Sequence, residues 1–441
     1  MKVKYFFVFL LLGAISICSA QSKKIDFTEY DLSNGLHVIL HKDTSTPIVA
    51  ISVLYHVGSK NEQPNRTGFA HFFEHLMFEG SPNIKRGEFM KIVQNNGGEL
   101  NANTTQDRTY YYDLLPSNQL ELGLWLESER MFHLKIDSVG VETQRKVVKE
   151  EKKQRLDNQP YGTVIQETFS HAYKVHPYRW VPIGSAQYID KATLQEFKDF
   201  HKEFYVPNNA VLTIVGDINI DQTKKWVEKY FGTIPKGTEK IYRPTVVEPP
   251  QTAEVRDTVY DNIQLPLVLF AYHIPKENSK DAYALDMLTT LLSKGKSSRM
   301  YKNLVDKQQV ALQAGAFPMS LEDPGLFLTY AIANAGKTGD ELEKAMNEQI
   351  NSVIKKGLTD KEFEKLRNQE ESSFVNSNST DAGVAASLSN YYVFYHNTNL
   401  INTELDKYMA VTKADIQRVA KKYLTKKNRV VLYYLPKSAK K

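Results

Sequence analysis

Residues 68–79 read G-F-A-H-F-F-E-H-L-M-F-E, and the chain is organised around this stretch. Inside it, His71-Phe72-Phe73-Glu74-His75 sets two histidines and a glutamate in the order H-x-x-E-H. On a helix, His71 and His75 are one turn apart and point the same way. Glu74 lies about 60° to one side of His71, so the three share an arc of roughly 100°. Phe69, Phe72, Phe73, Leu76 and Met77 make the rest of the helix apolar and predict its burial. Buried imidazoles and carboxylates need partners, because unpaired polar groups are costly to bury. A metal supplies them. Imidazoles at i and i+4 hold zinc, and the neighbouring carboxylate takes a proton from water at the metal.

The chain has 441 residues, enough for two or more domains. Its 41% hydrophobic and 24% charged residues are ordinary for a globular protein. A formal charge of +5, without a block of like charges, gives no reason to expect nucleic acid as a partner. The N-terminus reads as a signal peptide over residues 1–20. Lys2 and Lys4 precede an apolar run from Tyr5 to Ile17, and Cys18-Ser19-Ala20 offers small residues for cleavage before Gln21. The expected location is therefore the periplasm. The run is shorter than the ~20 residues of a spanning helix, and no other segment is apolar enough, so no transmembrane span is expected in the mature chain. A lipid anchor on Cys18 is the alternative, and the bulky Ile17 before it argues against this. Cleavage after Ala20 would leave no cysteine.

Outward from the motif, Phe27–Lys42 predicts a hairpin turning at Asn34-Gly35, and Pro47–Tyr55 a buried strand. Lys85–Asn95, Gln119–Phe132 and Val139–Arg155 predict helices, the last rich in charge. Pro244, Pro249 and Pro250 make residues 237–254 the expected linker. The segment starting at Thr193 aligns without a gap on that starting at Thr412, an offset of 219 residues. Phe197 faces Ile416, Phe200 faces Val419, Phe204 faces Tyr423 and Asn209 faces Asn428. The predicted fold class is α+β, with two homologous halves, each an antiparallel-rich sheet packed with helices. The predicted domains are residues 21–236 and 255–441.

A catalytic zinc wants three protein ligands and one open position. With no other histidine tied to the motif by spacing, the third ligand is expected to be an acid on the helix of Val139–Arg155. Glu142, Glu150 and Glu151 are available there. Taking Val147 and Val148 as the buried face places Glu151 nearer to it than Glu150, without excluding Glu150.

The motif resembles the M16 family, that of pitrilysin, insulin-degrading enzyme and mitochondrial processing peptidase, whose H-x-x-E-H reverses the commoner H-E-x-x-H. Residues 68–78, Gly97-Gly98-Glu99-Leu100-Asn101-Ala102 and Val147-Val148-Lys149-Glu150-Glu151 carry the likeness. His176-Pro177-Tyr178, Ile183-Gly184, Pro207-Asn208-Asn209 and Gly216-Asp217 extend it over nearly all of the first half. The resemblance implies two halves of the LuxS/MPP-like type and a zinc endopeptidase acting on peptides or unfolded segments. It implies one Zn2+ per chain, held by His71, His75 and Glu151, with Glu74 as general base. It also implies that substrate adds as a strand near Leu100–Thr104, with Asn101 and Ala102 in contact; a tight turn bracing the motif helix is the other reading of that pair.

Two positions depart from the family pattern. Seven residues before the third ligand the family often has an acid, and here stands Gln144, a candidate partner of the ligands through its amide. The family's second half often shows L-R-x-x-x-x-x-x-Y, which holds substrate. Here the Arg and Tyr positions are Val305 and Leu312, while Arg299 and Tyr301 fall out of register. The expected partner is therefore a second M16-like chain bearing Arg and Tyr, in a hetero-oligomer, or a second copy in a homodimer. The alternative is a non-catalytic M16-like structural or peptide-binding subunit of an envelope complex.

Overall fold

A computed structural model describes residues 24–440. The expected signal peptide, residues 1–20 with Cys18, lies outside the described residues. Among the described residues, eleven strands form two sheets. The first holds β1 (Thr28–Asp31), β2 (His37–Lys42), β3 (Ile48–Tyr55), β4 (Glu99–Thr104), β5 (Thr109–Pro116) and β6 (Ala210–Gly216). The second holds β7 (Val255–Asp261), β8 (Leu267–His273), β9 (Ala311–Met319), β10 (Leu326–Ala333) and β11 (Arg429–Pro436).

Their orders are β1-β2-β6-β3-β5-β4 and β7-β11-β8-β10-β9. In each, one parallel pair (β2 with β6, β7 with β11) is followed by antiparallel neighbours. Setting β2 against β7, β6 against β11, β3 against β8, β5 against β10 and β4 against β9 superposes the two topologies. The aligned segments agree in detail. Thr193 and Thr412 each cap a helix with a reciprocal box, to Glu196 and to Asp415. Asn209 Nδ2 donates to the carbonyls of Phe204 (2.8 Å) and His56 (3.3 Å), and Asn428 Nδ2 to those of Tyr423 (2.9 Å) and His273 (2.8 Å).

Strand alternation sends Val49, Ile51, Val53 and Tyr55 of β3 to one face, where they meet Phe69, Phe72, Phe73 and Leu76 of the motif helix. Ala50 and Leu54 face the other way, onto Val384, Leu388 and Tyr391 of the helix Asp381–Tyr395, which comes from the second half. The exchange is reciprocal. Phe169 and Ala172, on the helix Val164–Ala172 of the first half, pack on Leu267, Leu269 and Ala271 of the second sheet. β3 therefore reads as an apolar run broken only by Ser52, because both of its faces are covered.

The hairpin and the capped helix after Thr193 stand where the pattern puts them, and residues 235–254 hold no helix or strand. Three differences have physical causes. The helix expected over Lys85–Asn95 is regular only from Phe89, since Gly87 at φ +74° interrupts its start. β7 carries Arg256, Asp257 and Asp261 at a sheet edge, so it lacks an apolar run. β9, A-L-Q-A-G-A-F-P-M, has low strand propensity and a proline that only an edge tolerates.

Candidate metal centre

The motif helix runs Phe69–Leu76. Its apolar residues face the first sheet, which leaves His71, Glu74 and His75 toward the helix Ser138–Lys152 and toward β4. Glu151 rises from that second helix. Its Oε2 lies 3.1 Å from His75 Nε2 and 3.6 Å from His71 Nε2. Donor atoms of the three residues lie within 4.8 Å of one another, and among the described residues this is the group of His, Cys, Asp or Glu so placed.

Glu150, by contrast, is 57% exposed and pairs with Lys153 and Gln154, and Glu142 is 61% exposed beside Arg145. The helix turns its face differently from the sequence expectation: Val148 is buried, while Val147 is 44% exposed. Glu151 follows Val148 by three positions and so reaches the inside.

The electrostatics favour a cation. Burial first, then His75, lowers His71 to about 4, so its imidazole is neutral near neutral pH. His75 first, with His71 and Arg155, holds the Glu151 carboxyl below its ordinary value against the effect of burial. Arg155 Nη1 takes Oε1 of Glu151 at 2.8 Å. Oε2 is buried without a hydrogen-bond partner, with His75 Nε2 3.1 Å and His71 Nε2 3.6 Å away. An unpaired carboxylate oxygen between two imidazole nitrogens is a donor set that zinc fits.

Glu74 stands beside this group, and Thr104 Oγ1 donates to its Oε2 at 2.5 Å. Burial raises the Glu74 carboxyl, opposed by Thr104 and His75. A cleft of about 290 Å³ runs from Glu74 and His75 past Phe78 and Met90 to Leu100, Asn101 and Ala102. Asn101 and Ala102 lie in β4, an outer strand of the sheet, rather than in a tight turn. Asn101 Oδ1 accepts from the Ala102 N–H at 2.8 Å.

Gln144 Nε2 donates to Glu79 Oε1 at 2.6 Å, and Glu79 also pairs with Arg86. Gln144 thus braces the chain just after the motif helix rather than a ligand. Thr104 and Arg155 are partners that the sequence reading missed. Arg155 had a signal, four positions after Glu151 on a helix; Thr104 had none.

In the second half, Val305 packs on the core and Leu312 is 60% exposed on β9. Arg299 is held by both Glu362 oxygens at 2.8 and 2.9 Å, by Ser352 and by the Gly357 carbonyl. The helix Ala282–Ser293 follows β8 as the motif helix follows β3. It packs on the helix Asp360–Ser377, whose Glu370 follows Glu151 by the same offset, from 151 to 370. There Thr290 Oγ1 donates to Glu370 Oε1 at 2.6 Å, and the Tyr408 hydroxyl donates to Asp286 Oδ2 at 2.9 Å.

Residues 37–179 match the family model described as Insulinase (Peptidase family M16), and residues 191–370 that described as Peptidase M16 inactive domain. The chain is 33% identical over 445 residues to the zinc protease PqqE of Helicobacter pylori, covering 98% of this chain and all (100%) of that one. It is 23% identical over 330 residues to the uncharacterized zinc protease YmxG of Bacillus subtilis, covering 75% of this chain and 79% of that one. The crystal structure of a protease from Helicobacter pylori matches with a TM-score of 0.90 at 32% identity, over 93% of this chain and 100% of that one. The periplasmic protease PqqL from Escherichia coli matches at 0.76 and 17% identity, over 94% of this chain and 48% of that one, a likeness of fold. Two family models over successive segments, and a relative similar from end to end, show that the chain belongs to peptidase family M16.

Proposed function

We propose that this protein is an exported zinc-dependent endopeptidase acting on peptides or unfolded segments of polypeptide. The observation that carries this reading is the convergence of His71, His75 and Glu151 donor atoms within 4.8 Å, with Glu74 beside them. These three residues would hold one zinc ion. Bound there, zinc supplies Lewis acidity toward the scissile carbonyl and acidifies water to a pKa of ~7.

Glu74 takes the proton from the attacking water and returns it to the leaving amine. The Thr104 hydroxyl steadies one oxygen of Glu74 and leaves the other for the proton. Substrate lies in the cleft beside β4, where main-chain hydrogen bonds at the strand's outer side hold it with little demand on sequence. Arg155 turns Glu151 so that Oε2 faces the imidazoles. Arg299 is tied to Glu362 and is not free to hold substrate. We therefore assign the Arg/Tyr clamp to a second M16-like chain, as a hetero-oligomer or a homodimer. The family membership and the names of the relatives as zinc proteases support the metal and the reaction class.

The deciding experiment compares zinc content and cleavage of quenched peptides by wild type and Glu74→Gln, alone and with a candidate partner chain. Zinc in both and cleavage only in wild type is the expected result. Zinc without cleavage under any condition would favour a peptide-binding subunit.

A further inference from the structure

The metal helix has no cap of its own. Gly68 stands at its N-cap in the left-handed region, φ +100°, and has no side chain to offer. Gly184, at φ +61°, packs so closely that a Cβ on it would lie 2.3 Å from the Gly68 nitrogen. The first N–H groups of a helix still need acceptors. Glu62, only 2% exposed, supplies them from the preceding loop. Its Oε2 accepts from the Gly68 N–H at 2.9 Å and its Oε1 from the Ala70 N–H at 2.8 Å. His71 is the next residue. Burial pushes the Glu62 carboxyl up to about 8, opposed by those N–H groups.

The same loop is gripped by the second half. Lys60, 3% exposed, lies 2.9 Å from Asp107, 2.5 Å from Glu322 and 3.4 Å from Asp323. His56 Nε2 meets Glu322 at 2.8 Å. Glu322 and Asp323 belong to the turn between β9 and β10, and their N–H groups donate to Asp107 (3.1 Å) and to the Tyr178 hydroxyl (3.0 Å). Tyr178 in turn donates to Asp107 at 2.6 Å, and Trp180 Nε1 to the Ser59 carbonyl at 2.7 Å. Lys60 and Asp107 are buried, and losing either would leave the other's charge uncompensated, so the turn Ser59–Asn61 is held and Glu62 follows it directly.

We propose that Glu62 is a positioning residue for the metal helix, and that the second half acts on the metal centre through the loop from His56 to Glu62. The proposal rests on the zinc reading above. It gives the His176-Pro177-Tyr178 motif a place, as part of the socket for the second half's turn. It also gives the second half a role at a centre to which, among the described residues, it contributes no ligand.

The test uses the full chain loaded with zinc, or with cobalt as a spectroscopic probe. Zinc affinity is read by competition with a chromophoric chelator, and ligand geometry by the cobalt absorption bands. Circular dichroism reports folding. Glu62→Ala should bind zinc about tenfold or more weakly and shift the cobalt bands. Glu62→Gln, which keeps one acceptor oxygen, should fall between it and wild type, and decides the matter should Glu62→Ala not fold. Glu322→Ala should shift the bands in the same direction by less. Wild-type affinity and bands in folded Glu62→Gln and Glu62→Ala would overturn the role of Glu62. Unchanged bands in Glu322→Ala would overturn the second half's part. A wild type that binds neither metal would sink the zinc reading instead.

Discussion

Glu150 and Glu151 are adjacent acids on one helix, and the fold separates them by exposure: 57% for the first side chain and 15% for the second. Replacing each by glutamine is therefore a sharp comparison. Zinc sites built from four donors bind with about 10–16 kcal/mol, so one donor carries roughly 3 kcal/mol. At 1.4 kcal/mol per factor of ten, Glu151→Gln should weaken zinc binding about 100-fold. The amide oxygen remains as a neutral donor, so Glu151→Ala should lose more. Arg155, at 76% exposure, finds water when its carboxylate is gone and adds little. Glu150→Gln removes a surface charge with no tie to the imidazoles, and its effect should stay within about threefold. The assay is competition against a chromophoric chelator, with metal content after dialysis as a check. Loss of zinc in Glu150→Gln with retention in Glu151→Gln would refute the reasoning.

Two further outcomes concern the fold. Leu388, fully buried on the helix that crosses to the first sheet, should cost about 2–5 kcal/mol when cut to alanine. Its melt should shift as one transition, because each sheet depends on the other half's helix; two separated transitions would show independent halves. Asp286 is raised from 3.8 to about 7, by burial first, with the Tyr408 hydroxyl opposing and Glu370 and Glu404 adding to the rise. The unfolded chain releases that proton near pH 4 and the folded one near pH 7, so stability falls as pH rises through this window. Asp286→Asn should remove that slope and gain stability above about pH 7, by as much as a few kcal/mol; identical slopes in a urea-unfolding series would contradict it.

The duplication was legible because local chemistry repeats with it. Helix caps at Thr193 and Thr412, and the asparagines at 209 and 428, are short-range devices that leave a mark in sequence. The motif helix was legible for the same reason, since its apolar period and its three polar residues lie within two turns. What escaped depends on distant partners. The helix Asp381–Tyr395 is apolar on most sides, so its period does not say that it lies on the other half's sheet. The outer strands β7 and β9 carry charge, glycine and proline, and borrow their order from β11 and β10. Val147 misled the reading of the ligand helix, because an exposed valine beside a buried one shows no face by itself. Nothing near Glu62 in the sequence marks it, and only the fold brings it onto the Gly68 turn.

The two halves use one scaffold to opposite ends. In the first, His71, His75 and Glu151 point at one another without closing a hydrogen bond through Glu151 Oε2. In the second, the helix and the facing acid are retained at corresponding places, but Thr290 donates to Glu370 and Tyr408 donates to Asp286. Those donors and acceptors satisfy each other, so burial there needs no cation. Opening one site and closing its counterpart is what a proposal of one zinc per chain requires. The closed half is then free to serve the open one. Its turn at Glu322 and Asp323 docks beside the loop that caps the metal helix, and its helix Asp381–Tyr395 covers the back of the sheet that carries that helix. Arg299, which lies near the family's clamp position, is spent on Glu362. That pairing is the reason we proposed the clamp on another chain.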